Sequence, residues 1–169
     1  KNYLEIGFGC GENLLNLSRM YPESIFFGAE IYLNSYAKLL QKMYKEKIEN
    51  IKIWPNDIRL IISHFKNSFF EKIFILHPDP WQKNKHKKRR ILQQEFLDSL
   101  SRVLKKNGTI VLSTDETNMK SWILEQFHFR DDFEWKGEHL KETVNKPNKF
   151  VESKYSKKAI KENKNINWF

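Results

Sequence analysis

Residues 3–17, with the sequence YLEIGFGCGENLLNL, join a short apolar run, a turn with three glycines and an amphipathic segment. The run Tyr3–Ile6 predicts a strand that ends at the glycine turn. The leucines that follow share one face of a helix predicted over Glu12–Met20. Glycines between a strand and a helix let a ligand approach the backbone, and the first helical turn offers free N–H groups. The stretch therefore predicts the start of an open α/β sheet with a ligand site at its first turn.

The remaining chain alternates between apolar runs and segments with helical spacing. Further strands are predicted at Ser24–Glu30, Ile51–Trp54, Lys72–Leu76 and Thr109–Ser113. Helices are predicted at Leu33–Ile48, Ile58–Phe65, Arg90–Leu104 and Asn118–Phe127. Phe133–Lys136 and Asn165–Phe169 are candidate edge strands. Because strands and helices alternate, the predicted fold class is α/β, a doubly wound, mostly parallel Rossmann-like sheet with helices on both faces.

Length and composition limit the class of protein. The 169 residues are 40% hydrophobic, which is too apolar for a disordered chain and is suited to one domain, residues 1–169. The single cysteine, Cys10, excludes an intramolecular disulfide framework and indicates a reducing, cytoplasmic compartment. No apolar run reaches the roughly 20 residues of a membrane-spanning helix, and the histidines lack metal-ligand spacing. Since the chain begins at Lys1 in a strand, we expect it to lack an N-terminal segment.

The net charge of +9 comes from two segments. Residues 83–90, with the sequence KNKHKKRR, hold six basic side chains and no acidic one. Residues 141–164 hold eight lysines and three glutamates. Such blocks indicate a polyanionic partner, although the second is equally compatible with a solvated, lysine-rich tail.

Acidic side chains follow three successive strands. Glu5 precedes the glycine turn, Glu30 ends the second strand, and Asn56-Asp57 follows the third. A carboxylate at the second strand can accept both hydroxyls of a ribose, and one after the third can accept from an adenine amino group. Asp57 could equally be the N-cap of the next helix. Three acids at successive strand ends together predict a nucleoside ligand.

The turn itself distinguishes between nucleoside cofactors. Gly7, Gly9 and Gly11 form a G-x-G-x-G pattern, and Glu12 stands where a nicotinamide-binding turn has its third glycine. An acid at Glu5 disfavours a pyrophosphate and suits a ligand with an ammonium group. The cofactor that fits is S-adenosylmethionine, with S-adenosylhomocysteine as product. The pattern resembles motif I of the class I methyltransferases.

The loop after the fourth strand is the most specific feature of the sequence. Residues 77–90 read HPDPWQKNKHKKRR, which places Asp79 between two prolines, beside Trp81 and before the basic cluster. One loop thus offers a polar group for a base edge, an aromatic face and charges for phosphates. The stretch is similar to the P-D-P-W-P-K-K-R-H-x-K-R-R signature of the bacterial tRNA (guanine-N7)-methyltransferases. Gln82 and Asn84 depart from that signature.

This resemblance extends over essentially the whole chain and implies methyl transfer to N7 of a guanosine in the tRNA variable loop. It implies that Asp79 is catalytic and also near the cofactor, and that Lys83 and Asp115 contact the substrate. The family's T-x-Y-E segment matches Ser153, Tyr155 and Ser156, where Ser156 replaces the glutamate unless Glu152 takes its place. The residues expected to hold the RNA backbone are Lys85, His86, Lys87, Lys88, Arg89 and Arg90. The expected partner is tRNA, without a metal or a membrane.

Three other functions remain open at this stage. A methyltransferase acting on an exocyclic base amine would carry a related loop, but with the acid or amide before two adjacent prolines. A non-catalytic RNA-binding homologue would have lost its cofactor, which the retained strand-end acids disfavour. An NAD-dependent oxidoreductase is disfavoured by Glu5 and Glu12.

Overall fold

A computed structural model describes residues 1–136 and 153–169. Its strands are β1 (Asn2–Ile6), β2 (Ile25–Ala29), β3 (Ile51–Trp54), β4 (Phe70–Leu76), β5 (Leu104–Thr114) and β6 (Asn167–Trp168). They form one sheet in the order β3-β2-β1-β4-β5-β6, in which β1 to β5 pair in parallel and β6 runs antiparallel to β5. The helices are α1 (Glu12–Met20), α2 (Leu33–Glu46), α3 (Gln94–Val103), α4 (Thr117–His128) and α5 (Lys154–Lys161).

The sheet is covered on both faces because its strands are apolar on both sides. In β4, Ile73 and Ile75 belong to a core cluster that includes residues of α3 and α4. Phe74, between them, belongs to a second cluster with residues of α1 and α2. Alternate side chains of one strand therefore enter opposite layers, as strand geometry requires. The predicted doubly wound fold is confirmed.

Two predicted helices differ from the observed elements. Over Ile58–Phe65 the chain forms two short 3₁₀ helices, Ile58–Leu60 and Ile62–His64. There, the Arg102 guanidinium donates to the carbonyls of Ile62 and Phe65, each at 2.7 Å. These two carbonyls therefore have a hydrogen-bond donor without the partners that a longer helix would supply. In place of the helix predicted over Arg90–Leu104, α3 covers only Gln94–Val103.

The two predicted edge strands have different outcomes. Within Asn165–Phe169, β6 pairs with Ser113 and Thr114 of β5. Phe133–Lys136 forms no strand. The edge of β5 is taken by β6, and the Phe133 ring instead packs on Phe127 with ring centres 5.1 Å apart.

The strand order places the first turn where ligands bind in this architecture. The chain order reverses between β1 and β4, so the carboxyl ends of both strands open onto one crevice. Gly7, Gly9 and Gly11 all have left-handed backbone angles, with φ of 72°, 55° and 74°. Glycine adopts this region without a steric penalty, which lets the chain turn sharply from β1 into α1. Among the described residues, no helix is long and apolar enough to cross a membrane.

Candidate active site

A cavity of about 520 Å³ lies at the carboxyl ends of β1 to β4. Pockets for small organic ligands typically measure about 300–1,000 Å³. The predicted site residues that line it are Gly7, Gly9, Glu30, Asn56, Asp57, Asp79, Lys88, Arg89 and Tyr155. Apolar side chains of Ile31, Ile58 and Ile75 line it as well. The cavity therefore joins the glycine turn, the acids after β2 and β3, and the loop after β4.

Glu30 ties the end of β2 to the glycine turn. Its Oε2 accepts the Gly9 N–H at 2.8 Å, and its Oε1 accepts the Tyr32 N–H at 2.9 Å. The residue is buried, with 6% of its surface exposed. A carboxylate offers about four lone-pair sites, so each oxygen retains capacity for one further donor from a ligand.

Gly7 and Gly11 have different surroundings in the turn. A Cβ on Gly7 would meet nothing within 4 Å, so the space over this backbone is open to a ligand. A Cβ on Gly11 would lie 2.6 Å from Leu39 Cδ1, and Gly11 is outside the cavity lining. Gly11 therefore allows α2 to pack closely on the turn, and its predicted contact with a cofactor stays a prediction.

Glu5 also differs from its predicted position. It is 3% exposed and outside the cavity lining, and its Oε2 accepts from Asn13 Nδ2 at 2.9 Å. Burial raises the pKa of Glu5 to about 8, with smaller upward contributions from Glu12 and Glu30, while the Asn13 bond lowers it. At neutral pH the buried carboxyl is therefore mostly protonated, and it does not supply the negative charge expected of it.

Asp57 performs the capping role that the sequence left open. Its Oδ1 accepts the Arg59 N–H at 2.9 Å at the start of the Ile58–Leu60 turn. The Arg59 side chain binds both oxygens of the same carboxylate, and this hydrogen bonding lowers the pKa of Asp57. Asn56 Oδ1 accepts the Asp57 N–H at 2.7 Å. All three residues line the cavity.

The loop that carries Asp79 has left-handed residues on either side of the Pro-Asp-Pro segment. His77 has φ 49° and Trp81 has φ 42°, values that are uncommon for residues other than glycine. The His77 N–H donates to the Ser113 carbonyl at 2.8 Å, which extends the pairing of β4 with β5. Asp79 between these points is exposed at the cavity.

Arg90 is a correction to the predicted RNA-binding set. It is 2% exposed, its Nε donates to the Pro80 carbonyl at 2.8 Å, and its guanidinium lies 5.0 Å from the centre of the Trp122 ring. A buried guanidinium with these partners is not available to a phosphate. Arg90 instead holds the Pro-Asp-Pro loop in place through its hydrogen bond to the Pro80 carbonyl.

The other basic residues of this segment remain accessible. Lys83, Lys85, Lys87, Lys88 and Arg89 are exposed, around a 3₁₀ helix at Asn84–Arg89. His86 is half-buried, with its ring 5.7 Å from that of Trp81. The Arg89 guanidinium lies 5.0 Å over the Trp81 ring, and Lys88 and Arg89 line the cavity. The structure thus joins one end of the basic segment to the cavity.

Of the predicted substrate residues near the C-terminus, only Tyr155 lines the cavity. Ser153 is the N-cap of α5, and its Oγ accepts the Ser156 N–H at 3.1 Å. Ser156 is buried at 4% exposure. Asp115 lies outside the lining and bonds to His77. Glu152, the alternative to Ser156, lies outside the described residues.

Comparison with known proteins shows the family. Residues 1–168 match the family model described as "Putative methyltransferase". A tRNA (guanine-N(7)-)-methyltransferase from Wolbachia pipientis is 32% identical over 167 residues, which is 99% of this chain and 72% of that protein. This chain belongs to the tRNA (guanine-N7)-methyltransferase family. The resemblance predicted from the loop after β4 is confirmed.

Other relatives of this family are much longer than the chain. A protein of Rickettsia conorii named "Bifunctional methyltransferase" is 39% identical over 166 residues, covering 97% of this chain. The same match covers 31% of that relative. The chain therefore spans about a third of the length of the bifunctional relatives that it matches.

Solved structures show that this chain has the class I methyltransferase fold. A precorrin-6y C5,15-methyltransferase from Geobacter metallireducens matches with a TM-score of 0.61 and 17% identity, over 75% of this chain and 60% of that one. PKMT2 from Rickettsia typhi, solved in complex with AdoHcy, matches with a TM-score of 0.54 and 26% identity, over 76% of this chain and 24% of that one. At 17% identity, the first likeness shows the fold alone.

Two residues at the site of this family member were missed by sequence reasoning. The sequence predicts no metal site at His77 and indicates no other role for it, but it lines the cavity and bonds to Asp115 and Ser156. Arg59 also lines the cavity and holds Asp57. The position of His77, at the end of a buried strand and directly before the Pro-Asp-Pro loop, was the available signal. In the part of the chain that the structure describes, no group of three His, Cys, Asp or Glu side chains could hold a metal.

Proposed function

We propose that this chain transfers a methyl group from S-adenosylmethionine to N7 of a guanosine in the variable loop of tRNA. The observation that carries the proposal is one cavity, which combines Glu30 and the glycine turn with Asp79 and the cationic side chains of Lys88 and Arg89. Membership of the tRNA (guanine-N7)-methyltransferase family supports it. Because the chain spans only part of its longer relatives, the proposal concerns this segment alone.

The residues that line the cavity support S-adenosylmethionine as the cofactor. The free lone pairs of Glu30 suit the two ribose hydroxyls, and the open space over Gly7 lets the amino-acid part approach the backbone. Apolar Ile31 and Ile58 give a purine two surfaces on which to pack. An adenine amino group would share the Asp57 carboxylate with Arg59, so one of their present bonds must lengthen. The cofactor supplies an electrophilic methyl on a sulfonium and leaves as S-adenosylhomocysteine.

The task of the protein at guanine is orientation. N7 of guanine carries a lone pair and no proton, so no base has to act before the methyl is attacked. Asp79, exposed at the cavity, accepts hydrogen bonds from the N1–H and N2–H edge of the base and holds N7 towards the cofactor. As the ring becomes cationic, the fixed carboxylate also stabilises the developing charge. Trp81, in the same cavity wall, offers a face for the base once it leaves its stack.

The exposed basic residues bind the RNA backbone. Lys85, Lys87 and Lys88 lie on the 3₁₀ helix that follows the Asp79 loop, with Arg89 at its end beside the cavity. Phosphate contacts of this kind set position and supply affinity that falls with salt. Lys83, exposed at the start of the helix, also contacts the substrate in this proposal.

The experiment that tests the proposal is transfer of labelled methyl to unmodified tRNA, followed by strand cleavage specific for N7-methylguanosine. With Asp79→Asn, transfer should fall about 10²- to 10³-fold, the scale of losing one transition-state contact. Binding of S-adenosylhomocysteine, measured by calorimetry, should be retained. Asp131→Asn, at an exposed position outside the cavity, is the matched control.

Three results would contradict the proposal. Label on an exocyclic amine would indicate the related base-amine methyltransferases. Failure of the wild-type chain to bind S-adenosylhomocysteine would indicate a non-catalytic RNA-binding protein. Near-normal transfer by Asp79→Asn would remove Asp79 from its proposed role.

A further inference from the structure

A series of hydrogen bonds, most shielded at its centre, connects the end of β4 with α5. His77 Nδ1 lies 3.0 Å from Asp115 Oδ1, and His77 Nε2 lies 3.1 Å from Ser156 Oγ. Ser156 Oγ lies a further 3.1 Å from Ser153 Oγ, the N-cap of α5. The His77 side chain is 5% exposed and Ser156 is 4% exposed. The bond between His77 and Ser156 is therefore shielded from water, where its geometry has most effect.

The protons of these hydrogen bonds have one consistent arrangement. Burial lowers the pKa of His77 below its usual range, although Asp115 acts in the opposite direction, so the ring is neutral at physiological pH. The Nδ1–H then donates to the Asp115 carboxylate, and Nε2 accepts from the Ser156 hydroxyl. The Ser153 hydroxyl donates to Ser156 Oγ. Lys164 Nζ lies 3.7 Å from Asp115 Oδ2, although it is closer to the carboxylates of Glu116 and Glu162.

The backbone of His77 needs this support. Its left-handed φ of 49° is unfavourable for a residue with a side chain, and it stands directly before Pro78, which restricts it further. Such conformations persist where the surroundings hold them, and they cluster at functional sites. Here the ring bonds to Asp115 and Ser156 while the N–H bonds to Ser113, so the residue is fixed on three sides.

His77 and Ser156, which these hydrogen bonds join, both lie beside residues of the site. His77 is two residues before Asp79, and Ser156 directly follows Tyr155. Asp79 and Tyr155 line the same cavity. A Cβ built on Gly9 would lie 3.6 Å from Tyr155 Cε2, so the Tyr155 ring covers the glycine turn. The bond between His77 and Ser156 therefore sets where the loop and α5 lie relative to each other across the cavity.

We infer that His77 is a positioning residue, which docks α5 and its Tyr155 onto the loop that carries Asp79 through the bond to Ser156. For its effect on catalysis the inference rests on the proposed function. The docking itself does not depend on which substrate is methylated.

The test uses two substitutions that both remove the bond between His77 and Ser156. His77→Asn places an amide near the Nδ1 position and keeps the bond to Asp115, but it does not reach Ser156. Ser156→Ala removes the same bond from the other side with a small change of volume, and it also removes the bond between the Ser153 and Ser156 hydroxyls. Exchange of the backbone amides of residues 153–161, measured by deuterium uptake and mass spectrometry, reports docking of α5. His64→Asn, at an exposed histidine outside the cavity, is the control.

Each variant should speed exchange in α5 about 3- to 10-fold, the factor expected for one net hydrogen bond. Since both remove the bond between His77 and Ser156, exchange in the double variant should be no faster than in the more affected single variant. In the transfer assay the same variants should lower kcat/KM by a similar factor. Unchanged exchange in Ser156→Ala, or additive effects in the double variant, would overturn the inference. If transfer to tRNA fails altogether, the exchange result still stands, which separates this inference from the proposed function.

Discussion

The buried carboxyl of Glu5 predicts an inverted dependence of stability on pH. Burial is the main cause that raises the pKa of Glu5 from its unperturbed value of 4.5 to about 8. Between these values the folded chain binds a proton at Glu5 that the unfolded chain does not. The free energy of unfolding therefore decreases as pH rises through this window, being largest below pH 4.5 and lowest above pH 8.

The size of the effect follows from the slope for one group. Each pH unit inside the window changes the free energy of unfolding by about 1.4 kcal/mol. From pH 5.5 to 7.5 the wild-type chain should lose about 2–3 kcal/mol through Glu5 alone. In a domain of this size, that corresponds to roughly 5–10 °C in Tm.

Glu5→Gln isolates this contribution, because the amide does not titrate and keeps the shape of the side chain. An amide N–H can also donate towards Asn13 Oδ1, which is buried and has no hydrogen-bond partner in the described part of the protein. Thermal unfolding by circular dichroism at pH 5.5 and 7.5 should show Glu5→Gln gaining about 2–3 kcal/mol relative to wild type at the higher pH. Glu23→Gln, at an exposed position, should follow the wild-type curve. Parallel curves for wild type and Glu5→Gln would refute the reasoning.

Three further substitutions test other parts of the site. Glu30→Gln should weaken binding of S-adenosylhomocysteine about 10- to 100-fold in calorimetry, the factor for losing hydrogen bonds to a charged group; unchanged affinity would count against a ribose contact. Gly11→Ala should lower stability by about 1–3 kcal/mol in thermal melting, since its Cβ would meet Leu39 at 2.6 Å. Arg90→Gln should cost about 1.5–3 kcal/mol of stability, whereas Arg89→Gln should leave stability within about 0.5 kcal/mol and reduce the salt slope of tRNA binding by about 1. Equal effects of the two arginine substitutions on stability would contradict the buried position of Arg90.

The elements that the sequence predicted well are those with a local cause. Lys72–Leu76 is a continuous apolar run, and β4 forms there because both faces of the sheet are covered. Glu30 was assigned to the crevice correctly because a parallel strand delivers its last residue to that edge. Spacing along the chain was sufficient in both cases.

The errors have causes that lie outside the local sequence. Arg90 closes a run of accessible basic residues, and only its contacts with Pro80 and Trp122 show that it is buried. Glu5 was expected to be ionised, but its environment depends on Asn13 and on the packing of α1. His77 bonds to partners 38 and 79 residues away, which no local pattern indicates.

The reversal of strand order between β1 and β4 also has a consequence for the way the chain folds. The glycine turn and Glu30 belong to β1, α1, β2, α2 and β3, which are consecutive in sequence and pair with near neighbours. The opposite wall needs α5 and β6 to return to β4 and β5 across long stretches of chain. Distant contacts form more slowly than local ones. The side of the cavity formed by the glycine turn and Glu30 should therefore become structured first, and the side that includes α5 should become structured last. A partly folded chain would then have formed the glycine-turn side of the cavity before α5 docks beside the Asp79 loop, an order that pulse-labelled hydrogen exchange during refolding would reveal.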